Sequence, residues 1–272
     1  MIGAIIGDIV GSRFEFNNTD DLNFELFTDE CSFTDDSICT LAIAYALVSG
    51  ISYEESLRFW CSSYPNPMGA YGGSFARWLA SSNPKPYNSF GNCSAMRVSP
   101  VAWWFDNLDD VQREAEQTAL PTHNHPEGIK GAVATTSAIF IARKHGKDAM
   151  LESMKEFYPQ WVNPAPGSNK FDETCQGTMP VVFGIINKAN CFEEAIRYAI
   201  AVGGDSDTIG AIVGSIAEAI WGIPKAISDA ALGFLPNIMA SNIAKFLRII
   251  STKTKITRLV LSRFDEQMAH ET

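Results

Sequence analysis

The chain has 272 residues, 46% of them hydrophobic and 19% charged, with a formal net charge of −10 and a pI of about 4.9. That composition suits a well-buried soluble core and excludes a general nucleic-acid binder, which needs a basic face. No uninterrupted apolar run of about 18 residues occurs, so no membrane span is expected.

The first seven residues are apolar, but they lack a basic leader and Asp8 ends the run, so they are not read as a signal peptide. Six cysteines, at 31, 39, 61, 93, 175 and 191, form no Cys-x-x-Cys pair. They read as reduced core thiols of a cytoplasmic protein.

In chain order, residues 2–16 predict a helix with Gly3, Gly7 and Gly11 four apart on one face. Each glycine costs a helix up to about 1 kcal/mol relative to alanine, so three in register imply a close backbone neighbour. Gly210 and Gly214 repeat the pattern, and the strings Gly-Ala-Ile-Ile-Gly and Gly-Ala-Ile-Val-Gly are alike. The two helices are expected to cross at short distance in the centre of the fold. Asp8 sits among Ile5, Ile6, Ile9 and Val10, a poorly solvated place for a carboxylate. Glu15 falls at the helix end, before a polar stretch, Asn17 to Asn23, that is expected to be mobile.

Helices are expected at 38–49, ended by Gly50, at 53–62 and at 74–80, the last after a loop rich in Pro and Gly. Residues 84–97 read as irregular. The core of that piece, Ser89 to Arg97, suits a loop that wraps a ligand and offers backbone N–H groups to phosphate oxygens. Residues 101–105 are core-like, and 109–119 is amphipathic. Thr122-His-Asn-His125 is a loop whose two histidines are too few for a zinc site. Helices follow at 129–144, ended near Gly146, and at 148–158. Pro180 is placed in the first turn of an apolar helix running to Ile186. Further helices are expected at 192–202, 209–221, 226–235, 237–250 and 256–269. Hairpin signals, alternating strand patterns and long-period repeats are missing from the sequence. The reading is all-α, a single compact domain over 1–272 with roughly a dozen orthogonally packed helices.

Two stretches carry chemistry. Phe33-Thr-Asp-Asp-Ser37 and Gly203-Gly-Asp-Ser-Asp-Thr-Ile-Gly210 each pair carboxylates with hydroxyls on a turn leading into an apolar helix. Taken alone, Asp207 could simply cap the second helix, stabilising it by roughly 0.5–2 kcal/mol. If the turns face each other, four carboxylates at ~5 Å repel by about 3 kcal/mol per pair at an effective dielectric of ~20. That sums to more than the roughly 5–15 kcal/mol of a domain's net stability. Protons or cations must then neutralise the cluster, and an all-oxygen ligand set favours Mg²⁺ or Mn²⁺.

Together with Gly3-Ala-Ile-Ile-Gly-Asp8-Ile-Val-Gly-Ser-Arg-Phe-Glu15, Gly91-Asn-Cys-Ser-Ala-Met-Arg97 and Thr122-His-Asn-His-Pro126, these motifs occur in the order of the ADP-ribosylglycohydrolase family, which the chain resembles from Met1 to about Pro224. The resemblance implies an all-α fold with a central two-metal site holding Mg²⁺ or Mn²⁺, and a hydrolase that removes ADP-ribose from modified proteins. Thr34, Asp35, Asp36, Asp205, Asp207 and Thr208 match the family's metal ligands. Glu15 matches its flap glutamate, and Glu15, Asp36 and Asp207 are the expected catalytic carboxylates. Gly69, Gly72, Gly73, Ser89, Phe90, Gly91, Asn92, Ser94 and Met96 match the parts that hold pyrophosphate and adenosine, with Phe90 placed to stack on adenine. His123 matches a histidine near the nucleotide.

Three residues depart from the family pattern: Cys93 stands where glycine is common, Ser37 replaces threonine, and Glu218 replaces a small residue three turns past the acidic turn. Expected partners are ADP-ribose or an ADP-ribosylated protein, with no nucleic acid and no membrane. A phosphoester hydrolase on the same centre, or a non-catalytic ADP-ribose-binding member, are the alternatives; arginine-linked conjugates are the favoured substrates.

Overall fold

The computed structural model describes residues 1–253, so the helix expected over 256–269 lies outside the described residues. Thirteen α-helices and no β-strand occur among them: α1 (Ile2–Gly11), α2 (Asp35–Ser49), α3 (Tyr53–Ser63), α4 (Gly73–Ala80), α5 (Cys93–Met96), α6 (Ser99–Trp104), α7 (Leu108–Ala119), α8 (Pro126–Met154), α9 (Cys175–Lys188), α10 (Phe192–Ala201), α11 (Ser206–Trp221), α12 (Lys225–Leu232) and α13 (Asn237–Lys253). Extended pairing is limited, among the described residues, to two isolated bridges, Thr34 with Met68 and Gly91 with Thr174. The all-α expectation holds.

The fold is built around α1 and α11. Every residue of α1 is buried, as is α11 from Ser206 to Ala217, which suits helices that are apolar on all sides. They cross through the glycines the sequence singled out. A Cβ added at Gly210 would stand 2.5 Å from the carbonyl oxygen of Gly7, and one at Gly11 would stand 2.5 Å from the Cα of Asp207. Gly3 meets the Gly214 carbonyl in the same way. Helices α8, α9 and α10 pack around α11, while α2 packs on α1 and α13. The far end of the crossing is closed by Glu218, whose Oε2 accepts from the Gly3 amide at 2.9 Å and the Met1 amine at 2.6 Å. That acid therefore works remote from the acidic turns, as its position three turns on implied.

Several boundaries differ from the expectation. The helix expected over 2–16 stops at Gly11, where the Ser12 hydroxyl donates back to the Ile9 carbonyl at 2.8 Å and the chain tightens into a 3₁₀ turn, Ser12–Phe14. The segment 93–96, read as irregular, forms the short helix α5. Pro180 lies inside α9, not in its first turn, because the Thr174 hydroxyl caps the helix earlier by accepting from the Gly177 amide at 3.1 Å. Gly146 breaks α8 as expected: its φ of 85° is open to glycine without strain, and the chain runs as two helical pieces on either side. Of the cysteines read as core thiols, Cys191 is exposed and Cys93 half-buried; all six are free.

The crossing sets a sharp expectation for one atom. A methyl group at Gly7 falls inside the van der Waals shell of the Gly210 carbonyl, a backbone group that cannot swing aside. Gly7→Ala should destabilise the protein by more than about 3 kcal/mol, at or beyond the upper end of ordinary overpacking. Gly50→Ala, a strained but uncrowded position at the α2 C-cap, should cost only about 1 kcal/mol. Urea unfolding of both variants checks this; equal midpoints would contradict the close crossing.

Candidate functional site

The two acidic turns meet at one end of the α1–α11 crossing. α1 contributes Asp8, the start of α2 contributes Thr34, Asp35 and Asp36, and the start of α11 contributes Asp205, Asp207 and Thr208. Carboxylate oxygens of Asp8, Asp36 and Asp207 lie within 4.8 Å of one another, and so do those of Glu15, Asp205 and Asp207. The Thr208 hydroxyl donates to Asp36 at 3.4 Å, across a separation of 172 positions in sequence. Asp207 does not cap α11; the N-cap position belongs to Asp205, and Asp207 stands in the first turn facing the α2 turn.

Asp8 organises the near side. Its Oδ2 accepts from the amides of Thr34 and Ser37, both at 3.0 Å, and from the Ser37 hydroxyl, while Oδ1 accepts from the Thr34 hydroxyl at 2.7 Å. Thr34 in turn caps α2 through the Asp36 amide at 3.2 Å. A residue buried in the apolar helix α1 thereby fixes the acidic start of α2. The far side is held by Asn92, whose Nδ2 donates to Asp205 Oδ2 at 2.7 Å and to the Thr178 hydroxyl at 3.1 Å. Asn18 grips the turn before α11 from both sides, donating to the Gly204 carbonyl at 2.9 Å and accepting from its amide at 2.8 Å. The stretch 17–23, expected to be mobile, is tied down by this pair and by Arg197, which donates to the Leu22 and Phe24 carbonyls at 3.0 and 2.8 Å.

Crowding of like charges shows in the protonation of the cluster. Burial, then repulsion from its acidic neighbours, raises the carboxyls of Asp35, Asp36 and Asp207 well above the usual range. Asp8 is pushed up to about 6 by burial, against the lowering effect of its hydrogen bonds. Glu15, half-buried at the edge of the cluster, is pushed up to about 7 by burial and by Asp205, Asp8 and Glu173. Burial also raises Asp205, with the Asn92 bond working the other way. Asp36 Oδ1 is buried without a hydrogen-bond partner among the described residues. An orphaned oxygen inside an all-oxygen set fits a hard divalent cation, which would replace the protons these carboxyls otherwise hold.

The expected ligand residues divide by position. Ser89, Phe90 and Gly91 form an extended segment against Glu173–Cys175: Asn92 N donates to the Glu173 carbonyl at 2.7 Å and Cys175 N to the Phe90 carbonyl at 2.9 Å. Phe90 is 42% exposed, and its ring lies tilted against His125 with 5.2 Å between centroids. His123 is buried behind Gly91, its Nε2 3.4 Å from where a Gly91 side chain would begin. Gly69 lies against the Glu15 carboxylate, and Gly72 borders open space at the start of α4, with Gly73 facing only Arg77. Ser94 and Met96 are buried. The Ser94 hydroxyl donates to the Gly128 carbonyl at 2.7 Å, and the Met96 sulfur sits 3.9 Å below the Thr208 hydroxyl. These two support the site from beneath.

Sequence reasoning left Asp8, Asn18 and Thr178 out of the site and gave Asn92 to the ligand alone. Asp8 did carry a signal, a carboxylate set among isoleucines. Asn18 and Thr178 carried none, because their partners lie far away in sequence.

Comparison with known proteins gives concordant findings. The family model described as ADP-ribosylglycohydrolase matches residues 1–250. The chain is 23% identical to ADP-ribosylhydrolase ARH3 of Mus musculus over 86% of each protein, and 24% identical to ADP-ribosylhydrolase ARH3 of Homo sapiens over 83% of this chain and 85% of the relative. A solved structure titled ADP-ribosylglycohydrolase-related protein complex superposes with a TM-score of 0.67 at 21% identity, covering 92% of this chain and 95% of the other, which establishes the shared fold.

The protonation pattern fixes the sign of a pH effect. A carboxyl whose folded value lies above its unfolded value, near 4, binds its proton more tightly in the fold, so ionising it costs stability. In the presence of a chelator, the melting temperature should fall as pH rises from about 4 through the values of about 6 and 7 reached by Asp8 and Glu15. Excess Mg²⁺ should flatten or reverse that slope. Scanning fluorimetry across pH, with and without Mg²⁺, measures it; a chelated protein that gains stability over this range would contradict the buried cluster.

Proposed function

The chain belongs to the ADP-ribosylglycohydrolase family, is an ADP-ribosyl hydrolase, and from that premise we propose that it uses two divalent cations to remove ADP-ribose from modified protein side chains, arginine-linked ones above others. The observation that carries this reading is the meeting of the two acidic turns, with carboxylate oxygens from α1, α2 and α11 within 4.8 Å of one another. Asp35, Asp36, Asp205 and Asp207, with Thr34 and Thr208, are the residues to hold the cations. When bound, such ions supply positive charge to the hydroxyls of the distal ribose and lower the pKa of a water molecule.

The chain's own groups supply the rest. Glu15 is half-buried beside the cluster and raised to about 7, a value at which a carboxyl both accepts and returns a proton near neutrality. Hydrolysis consumes one water: its oxygen bonds to the anomeric carbon, the bond to the side-chain nitrogen or oxygen breaks, and the leaving group takes a proton. In this proposal Glu15 takes the proton from water and delivers one to the leaving group. Asn92 keeps Asp205 oriented, and Asp8 keeps the α2 turn aimed across the site. Gly91, His123 and Phe90 are the proposed seat for the diphosphate and adenine.

The preference for arginine-linked conjugates is supported by the rim. Phe16, directly after Glu15, is 74% exposed and stacks on Phe171, 47% exposed, with centroids 5.9 Å apart. Exposed aromatic faces beside Glu15 and Glu173 suit a guanidinium, which binds ring faces and carboxylates alike. Six free thiols, including Cys39 and Cys61 only 3.8 Å apart yet unbonded, favour a reducing compartment such as the cytoplasm. No described helix is long and apolar enough to cross a membrane. We take residues 1–272 as a single ADP-ribosylglycohydrolase-like domain.

Asp207→Asn should lower metal-dependent release of ADP-ribose by at least about 100-fold, the scale of losing charge from a site of electrostatic catalysis, with helical circular dichroism unchanged. Wild-type turnover by this variant with metal bound would overturn the assignment. A panel of arginine-, serine- and O-acetyl-linked ADP-ribose, assayed with Mg²⁺ and with chelator, tests linkage and metal together. The arginine conjugate should turn over fastest, and the chelator should abolish all three.

A further inference from the structure

Arg97 has no role in the chemistry described so far, and its setting is unusual. It is fully buried at the end of α5, with no carboxylate in contact among the described residues. Its Nη2 donates to the Thr118 carbonyl and to the Thr122 hydroxyl, both at 2.8 Å, while Nε and Nη1 have no hydrogen-bond partner among the described residues. A buried guanidinium without a counter-ion is costly, so balancing a carboxylate is not its purpose.

The consequence lies one bond further on. A guanidinium only donates, so the Thr122 oxygen must accept from Arg97. The Thr122 hydroxyl then has its own proton to place, and 2.7 Å away stands Nδ1 of His123. Thr122 is fully buried, so a hydroxyl proton turned elsewhere would lack a partner. The proton therefore goes to Nδ1, which leaves Nδ1 an acceptor and puts the ring proton of neutral His123 on Nε2. Nε2 is the atom facing Gly91, 3.4 Å from where a side chain there would begin, with Ser89 Oγ and the Glu173 carbonyl oxygen lining the same space at 3.3 and 3.4 Å.

We propose that Arg97 and Thr122 are positioning residues that lock His123 in the Nε2–H form, so that it presents a fixed, uncharged N–H donor to an acceptor oxygen of ADP-ribose at the Ser89–Gly91 segment. The inference rests on the reading of that segment as the ligand seat. Burial and the neighbouring Arg97 charge both hold His123 well below its usual pKa, which agrees with a neutral donor. His125 reaches the same form by another route, its Nδ1 accepting from the Glu127 amide at 3.1 Å as α8 begins. It serves as the reference in the same spectrum.

Long-range ¹H–¹⁵N correlation of the histidine rings in the full-length protein reads the tautomer directly. His123 should show a protonated Nε2 and a bare Nδ1; a proton on Nδ1 would overturn the proposal whatever the substrate proves to be. Adding ADP-ribose should shift the His123 Nε2–H resonance, and saturation without a shift would overturn the donor role alone. Thr122→Val should mix the two nitrogen signals and raise KM for ADP-ribose release roughly tenfold, with kcat changed by less than about twofold. Thr122→Ser, which keeps the hydroxyl, should restore both. A folded Thr122→Val protein with native nitrogen signals and native KM would refute the relay. If the release assay fails for every conjugate while the nitrogen signals and the ADP-ribose shift behave as expected, the hydrolase reading fails and the relay stands.

Discussion

The α1–α11 crossing is the constraint on which the rest depends. Two helices whose glycines face each other can approach until backbone meets backbone, and here Gly7 and Gly210 do so. This proximity brings residue 8 of one helix beside residue 207 of the other. With side chains in between, the helix axes would separate toward the usual 8–10 Å, and the Asp8–Asp36–Asp207 group would spread beyond the reach of a single ion. Each glycine weakens its own helix, so the packing has to return what the local propensity gives up. α1 throughout and α11 as far as Ala217 are buried on every side, which is how it does so.

The acidic centre is then a problem of charge in the core. Its carboxylates are not left to repel freely. Asp8 is surrounded by four donors from the start of α2, and Asp205 is held by Asn92. Hydrogen bonds of this kind favour the ionised form, burial opposes it, and in every member of the cluster burial prevails. The fold thus tolerates the centre protonated or cation-filled, but not bare and charged. This is the physical ground for expecting stability and metal binding to be linked.

The glycine stripe, the two acidic turns and the helical periodicity were legible because each is a local pattern with a physical meaning: spacing, charge density, hydrophobic repeat. The ends of α2 and α11, Ser49 and Trp221, matched, but both helices begin three residues earlier than read, at Asp35 and Ser206, so Asp35, Asp36 and Asp207 belong to their first turns. What escaped was set by distant partners. Asn18 is an ordinary polar loop residue until the Gly204 turn, 186 positions away, folds against it. Asn92 belongs to a ligand-loop pattern, and only the fold shows its amide turned to Asp205. Pro180 suggested a helix start by its own preference, but the capping hydroxyl of Thr174 decided where α9 begins. Arg97 read as the last letter of a motif, and its lack of a counter-ion is visible only in three dimensions.

The two ends of the site are electrically opposed. At one end carboxylates gather and raise each other's pKa values; at the other an unbalanced guanidinium lies beneath the histidine and the Ser89–Gly91 segment. ADP-ribose has the complementary polarity, with hydroxyls at the distal ribose that suit a cation-filled acidic centre and a dianionic diphosphate in the middle. A net charge of −10 would seem to repel such a ligand. Surface charge is screened beyond about 8 Å at physiological ionic strength, whereas Arg97 acts from inside the low-dielectric core, where screening is weak. If the diphosphate enters where we propose, the field it meets is set by the few buried groups beneath it, and a net acidic surface is then no bar to an acidic substrate.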